Sequence, residues 1–321
     1  MVAWQRKAPC LHVVLVMLLT LLVGAREPSA QQQELVNGGT VGLIIDSAES
    51  SDVELASDLV AALNDGYKMR VLPVLGQGSV RNVEDLLYLR GIDVALVQAD
   101  VLDFYRGIGT LPEIGERIRY IAKLANEEVH VLARQEVASV QDLDGRRVNF
   151  GVEGSGSFLT AGILLDRLGI DVNVTSFPLP KALKEIEEGT IDALIVVGAA
   201  PIGRLRQLDH DNGLHLLPIP DAGLGDSYQP AEIAAGDYPD LLEPGTVVKT
   251  VAVAKILTAF NWPEGHPRGD KVKRFVDSLF ANIDRLARPP FHPKWREVDL
   301  LASLPGWERL SVAETLVAEH R

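Results

Sequence analysis

Apolar and polar positions alternate in two rhythms along the first two thirds of the chain. Short continuous apolar runs read as buried strands, and stretches with apolar residues every three to four positions read as one-faced helices. Residues 41–45 predict a strand. Residues 53–64 place Val53, Leu55, Ala56, Leu59, Val60 and Leu63 at helical spacing. A strand over 69–75, a turn over 76–79, a helix over 80–89 and a strand over 94–97 follow. The pattern then restarts. A long apolar alternation over 118–133 leads to a turn at 141–145 and a strand over 148–152. A Gly/Ser turn opens an amphipathic helix, and then come a strand over 174–178, a helix over 180–188 and a strand over 191–197. Such β/α alternation predicts parallel sheets covered by helices.

The two blocks, about 40–130 and 135–220, match in element order and not in residue identity. Residues 221–246, rich in Gly, Pro and Asp, read as a long loop. Residues 247–254 predict a strand, 271–287 a helix and 312–320 a last helix, with an irregular Pro-rich segment at 288–293.

Polar turns close the strands. Open α/β sheets bind ligands at the carboxyl ends of their strands, which makes candidates of Asp46 and Ser47, Gly78 and Ser79, Gln98 and Asp100, Ser155, Gly156 and Ser157, and Gly198. The turn 154–157 (GSGS) sits where a helix begins. The first amides of a helix lack partners and carry the positive end of its dipole, so they suit a carboxylate or other small anion. The same residues also fit an ordinary serine cap with turn glycines. Two lobes facing each other would enclose a cleft and close by a hinge.

Composition narrows the class. The chain has 321 residues, enough for two domains, and a formal charge of −13. That charge argues against a nucleic-acid partner, which wants a basic face. At the N-terminus, Arg6 and Lys7 precede an apolar run over 11–23 and small residues at Ala25 and Ala30. This reads as a signal peptide over 1–30, cleaved after Ala25 or Ala30, and so as a periplasmic protein. An uncleaved N-terminal anchor is the alternative. The one cysteine, Cys10, precedes the apolar run, where a lipoprotein cysteine would not lie.

Three segments resemble the TAXI branch of solute-binding proteins from tripartite ATP-independent periplasmic (TRAP) transporters. Residues 75–86 (LGQGSVRNVEDL) are similar to that family's GGS-x-x-N-x-x-x-L segment. Residues 91–100 (GIDVALVQAD) resemble its G-x-x-D-x-A-x-x-Q-x-D segment. Residues 142–157 (DLDGRRVNFGVEGSGS) resemble its D-L-x-G-K-x-V-x-x-G-x-x-G-S-G-T segment. The resemblance implies an α/β, two-lobed periplasmic binding protein-like (type II) fold with a ligand cleft between the lobes. It implies residues 38–133 plus 247–321 as one lobe with the C-terminal helices, and 134–246 as the other. It also implies capture of a small solute, carboxylate or amino acid-like, for TRAP-type permease subunits, with no chemistry on the solute. Carried over, Gly78, Ser79 and Asn82 would line the first lobe, Gln98 and Asp100 the next strand end, and Ser155, Gly156 and Ser157 would hold an anionic group. No cofactor is expected, and the protein is expected to be a monomer.

One segment departs from the pattern. Where the family has a Gly/Thr-rich loop, residues 45–52 read IDSAESSD. Asp46, Glu49 and Asp52 would repel a carboxylate and suit an amine, a cation or a hard metal such as calcium. Glu49 and Asp52 read more simply as a solvated helix start, whereas Asp46 lies at the strand end and stays a candidate. Catalytic readings find little support. His210 and His215, flanked by Asp209 and Asp211, lack helical ligand spacing and read as a solvated loop, so no metal site is assigned. Neither a nucleophile elbow nor a phosphate loop occurs. A sensory protein presenting its ligand to a membrane partner, or an enzyme on the same scaffold, are the alternatives.

Overall fold

The computed structural model describes residues 38–319, apart from 49, 67, 210–212, 222 and 226. The expected signal peptide, Glu49, His210 and Asp211 therefore lie outside the described residues. Among the described residues, no helix is long and apolar enough to cross a membrane.

The first block folds as β1 (Thr40–Ile45), α1 (Asp52–Leu63), β2 (Arg70–Leu75), α2 (Ser79–Tyr88), β3 (Val94–Gln98) and α3 (Ala99–Ile108). A short α4 (Ile114–Arg117) leads into the long β4 (Ile118–Arg134). The second block is β5 (Arg147–Asn149), α5 (Gly156–Leu168), β6 (Asn173–Thr175), α6 (Leu179–Glu187) and β7 (Ala193–Gly198). Then come β8 (Leu214–Leu216), β9 (Tyr228–Ala234), β10 (Val247–Phe260), α7 (Pro267–Leu286) and α8 (Ser311–Glu319).

The strands join in the order β2-β1-β3-β10-β4-β7-β5-β6, with β8 on β4 and β9 on β10. The two blocks repeat one topology. In each, the first strand pairs in parallel with the second and third, and the third meets a long antiparallel strand. The fold is α/β with two lobes. β10 pairs with β3 through residues 255–259 and with β9 through 247–253. β4 pairs with β10 up to Glu128 and with β7 from Glu128 onward. These two strands thus run through both lobes and connect them.

Burial explains the elements. α1 buries Leu55, Ala56, Leu59, Ala62 and Leu63 against β1, β2 and α7, in a core that includes Phe275, Leu279 and Trp295. Each of the leucines contributes roughly 1.5–3 kcal/mol when fully buried. α7 starts at Pro267, earlier than the periodicity predicts, with the His266 side chain accepting from the Arg268 amide. Buried Asp93 fastens it to the first lobe, accepting from Gly42 N at 2.9 Å, Arg268 Nε at 3.0 Å and Lys271 Nζ at 2.6 Å.

The structure corrects the loop expected over 221–246, which contains β9. Among the described residues that strand pairs only with β10, and Pro230 occupies it. An edge strand with proline and few apolar residues carries a weak periodic signal. The strand expected over 247–254 continues to Phe260, because its second half pairs with β3 in the first lobe.

Candidate functional site

A cavity of about 340 Å³ lies where the two lobes meet. The first lobe contributes the loop after β1, through Asp46, Ser47, Ser50 and Ser51, and the turn after β2, through Gly76 and Gln77. The second lobe contributes Asn149, Val152, Ser155 and Ser157, the start of α6 at Leu179, and β7 with Gly198 and Ile202. The connecting strands supply Glu127 and Lys255.

The β4–β10 ladder shifts register between Ala254 and Ile256. Lys255 sits at this irregularity, a feature that re-aims side chains. It is only 2% exposed. Its ammonium lies 3.1 Å from Asp52 Oδ1 and 3.1 Å from Glu127 Oε1. Asp52 is fully buried, so the solvated helix start read from the sequence is corrected here. Asp52 Oδ2 also accepts from the Asp46 amide at 3.1 Å, and Gln98 Nε2 donates to Glu127 Oε2 at 2.9 Å. Burial pushes Glu127 up to about 7; Asp52 adds to the rise, while Lys255 and Gln98 oppose it. Burial would lower Lys255, but Asp52, Glu127 and Asp46 outweigh it and raise the group, which keeps its charge. The ammonium lies between Asp52 and Glu127. Among the described residues, no group of three or more His, Cys, Asp and Glu could hold a metal.

A second buried chain runs beside the first. Lys294 Nζ lies 2.7 Å from Glu128 Oε1, and Glu128 Oε2 accepts from Ala200 N at 2.7 Å. The His130 ring lies 2.9 Å from Glu128 O through Nδ1 and 2.8 Å from the Tyr238 hydroxyl through Nε2. That hydroxyl accepts from the amide of cavity-lining Ile202 at 2.8 Å. Burial lowers His130 to about 4, so it is neutral near pH 7.

The residues named from the sequence divide into two sets. Asp46, Ser47, Ser155, Ser157 and Gly198 line the cavity; Gly78, Ser79, Asn82, Gln98, Asp100 and Gly156 do not. Gly78, at φ 116°, packs directly on Ser155, and Arg81 N reaches Gly154 O at 3.4 Å. Ser79 and Asn82 are fully buried, with Asn82 Nδ2 donating to Leu96 O at 3.4 Å. Gln98 packs on Gly156. Asp100 joins α3 to the second lobe, accepting from Thr160 Oγ1 at 2.6 Å and the Tyr228 hydroxyl at 2.8 Å.

Within the cavity, several polar side chains already have partners. Ser155 caps α5 by accepting from Phe158 N at 3.1 Å. Ser157 Oγ accepts from Val197 N at 3.0 Å and donates to Val197 O at 3.4 Å. Asn149 Oδ1 accepts from Phe177 N at 2.6 Å, and its Nδ2 donates to Phe177 O at 3.2 Å. Sequence reading overlooked Glu127 and Lys255. No single-charge signal marks them: β4 also carries Arg119, Lys123, Glu128 and Arg134, and β10 also carries Lys249.

Two α/β lobes joined by crossing strands, with a cavity at the join, define a periplasmic-binding-protein architecture. The chain belongs to the NMT1-like family, whose match covers residues 53–294. Among solved structures it is similar to the periplasmic binding protein BugD, with a TM-score of 0.52 and 15% identity over 87% of this chain and 92% of that one. It is also similar to an ABC uptake transporter substrate-binding protein from Streptococcus pneumoniae with bound histidine, with a TM-score of 0.49 and 12% identity over 81% and 93% of the two chains. At these identities the likeness is one of fold.

Proposed function

We propose that the protein is an extracytoplasmic solute-binding protein. It captures a small solute between its lobes in the periplasm and passes it, chemically unchanged, to a membrane permease. The observation that carries this reading is the cavity at the junction of the lobes, floored by Glu127 and Lys255 from the connecting strands. A ligand there touches both lobes and the strands that join them, so binding favours the closed arrangement. The lining contains neither histidine nor cysteine, which fits capture better than catalysis. The permease is of the TRAP type, the finer reading that the TAXI-like segments at 75–86, 91–100 and 142–157 support. We place the lobe boundary inside the connecting strands, at Glu127–Glu128 and Ala252–Ala254, and not at their ends.

The experiment is titration calorimetry of the exported chain against a panel of small solutes, paired with solution X-ray scattering. A captured solute should bind one to one, compact the protein and return unaltered. Turnover of the bound solute would sink the reading.

A further inference from the structure

We propose that the solute is a small organic cation with an apolar body, such as a primary amine or a guanidine. Its charged end would lie beside Asp46 and Glu127, and its body against the second lobe. This inference rests on the solute-capture reading above.

Charge at the cavity is the first argument. Asp46, Glu127 and Lys255 line it, and Asp52 stands directly behind Lys255. Three carboxylates therefore surround one ammonium. That ammonium already has Asp52 and Glu127 at 3.1 Å each, so its charge is spent before a solute arrives. A carboxylate solute would enter a site with an excess of negative charge and desolvate against it. A cation would neutralise that excess.

The second argument is donor supply. Carboxylate sites draw on bidentate arginine, and no arginine lines this cavity. The second-lobe groups that would otherwise serve are engaged with backbone. Ser157 Oγ both accepts from and donates to Val197, Ser155 Oγ caps α5, and Asn149 holds Phe177. The first-lobe lining is rich in acceptors: the Asp46 carboxylate, the hydroxyls of Ser47, Ser50 and Ser51, and the Gln77 amide oxygen. Of these, Asp46 Oδ1 also accepts from Ser47 N at 2.6 Å and Ser50 Oγ from Asp52 N at 3.3 Å. Opposite them, Val152, Leu179, Val197 and Ile202 form an apolar wall that suits a hydrocarbon body. A buried ion cluster is also weak as a stabilising device, because desolvation offsets the attraction. Its place at the cavity floor gives it a binding role.

The test is calorimetry at pH 8 with three probes of like shape: isoamylamine, 4-methylpentanoate and leucine. The amine should bind at least about tenfold tighter than either other probe, the difference one charge-assisted contact makes. Asp46→Asn should weaken the amine about tenfold while the variant still folds, as judged by its far-ultraviolet dichroism. A second variant, Glu127→Gln, should weaken the amine again. Tighter binding of 4-methylpentanoate or leucine, with compaction, would overturn the cation and leave solute capture standing. No binding and no compaction with any probe would overturn both. Unchanged amine affinity in both variants would also overturn the cation site.

Discussion

Asp100 and Tyr228, one at the start of α3 and the other at the start of β9, meet through a hydrogen bond of 2.8 Å between the tyrosine hydroxyl and Oδ2. Thr160 of α5 donates to the same oxygen at 2.6 Å. A buried carboxylate of the first lobe is thus held by two hydroxyls of the second. Burial pushes Asp100 up, and the two hydroxyl donors pull it back. Next to it, Ser227 Oγ donates to Asp103 Oδ2 at 2.9 Å, and Trp307 Nε1 donates to Asp103 Oδ1 at 2.9 Å. The lobes are therefore fastened beside the connecting strand β10, with which Tyr228 pairs through Val253.

Tyr228→Phe tests that fastening. The ring and its position under Arg167, 5.5 Å away, are retained, and only the donor is lost. Removing one partner of a buried acceptor costs about 1–3 kcal/mol. Urea unfolding should show a loss of that size, and scattering should show a more open ligand-free protein. A variant as compact and as stable as the parent would remove Asp100 from lobe closure.

Gly78 tests closure from the other side of α2. A Cβ there would overlap the Ser155 backbone, and φ 116° is itself poor for any side chain. Gly78→Ala should wedge the lobes apart and weaken solute binding by at least tenfold, about 1.4 kcal/mol. Besides the core they share, each lobe has a cluster of its own, around Phe275 and around Tyr238, so far-ultraviolet dichroism should change little. Unimpaired binding would show that the Gly78–Ser155 contact is not part of the ligand-bound state.

The α/β class and the doubled element order were legible because both rest on local periodicity, which burial of one helix face or of a whole strand imposes directly. Asp46, Ser155 and Ser157 were legible as cavity residues because strand ends and helix starts are where α/β sheets leave polar groups exposed. Their roles were not. Whether Ser157 faces a solute or Val197 depends on a contact 40 residues away in sequence. Gly78 and Gln98 read as cleft residues, yet they pack on Ser155 and Gly156 of the second lobe, while Ser79 and Asn82 are buried inside the first. Motif spacing marks where backbone must pass closely and does not distinguish a neighbouring lobe from a ligand. Lys255 and Glu127 were not legible, because β4 and β10 carry several charges and only packing where the lobes join decides which of them are buried.

Lys255 is the counter-charge for the cavity floor. Lys255→Met would leave Asp52 and Glu127 buried without it. Breaking a buried pair by removing one partner costs about 3–5 kcal/mol. Chemical denaturation should show that loss, and adding Glu127→Gln should restore part of it by removing one uncompensated charge. If the single variant is as stable as the parent, the floor is wetter than its burial implies.

Glu127 should make both stability and binding depend on pH. Its native pKa, about 7, lies above the ordinary value of 4.5. Between those values the native state holds a proton that the unfolded chain has released. Stability from this group is therefore complete below 4.5 and falls as pH rises through about 7. The groups facing it are Gln98 from β3, Asp52 from α1, Lys255 from β10 and the nearby Asp46, and Lys255 stays charged throughout. Asp100 and Glu128 are raised as well, so the useful quantity is the difference between parent and Glu127→Gln. Denaturant titrations from pH 5 to 8 should show a steeper decline for the parent. A cation bound beside Glu127 favours its ionised form, so amine affinity should rise with pH through about 7 in the parent and stay flatter in Glu127→Gln. Parallel profiles for the two proteins would mean that Glu127 keeps one protonation state across this range.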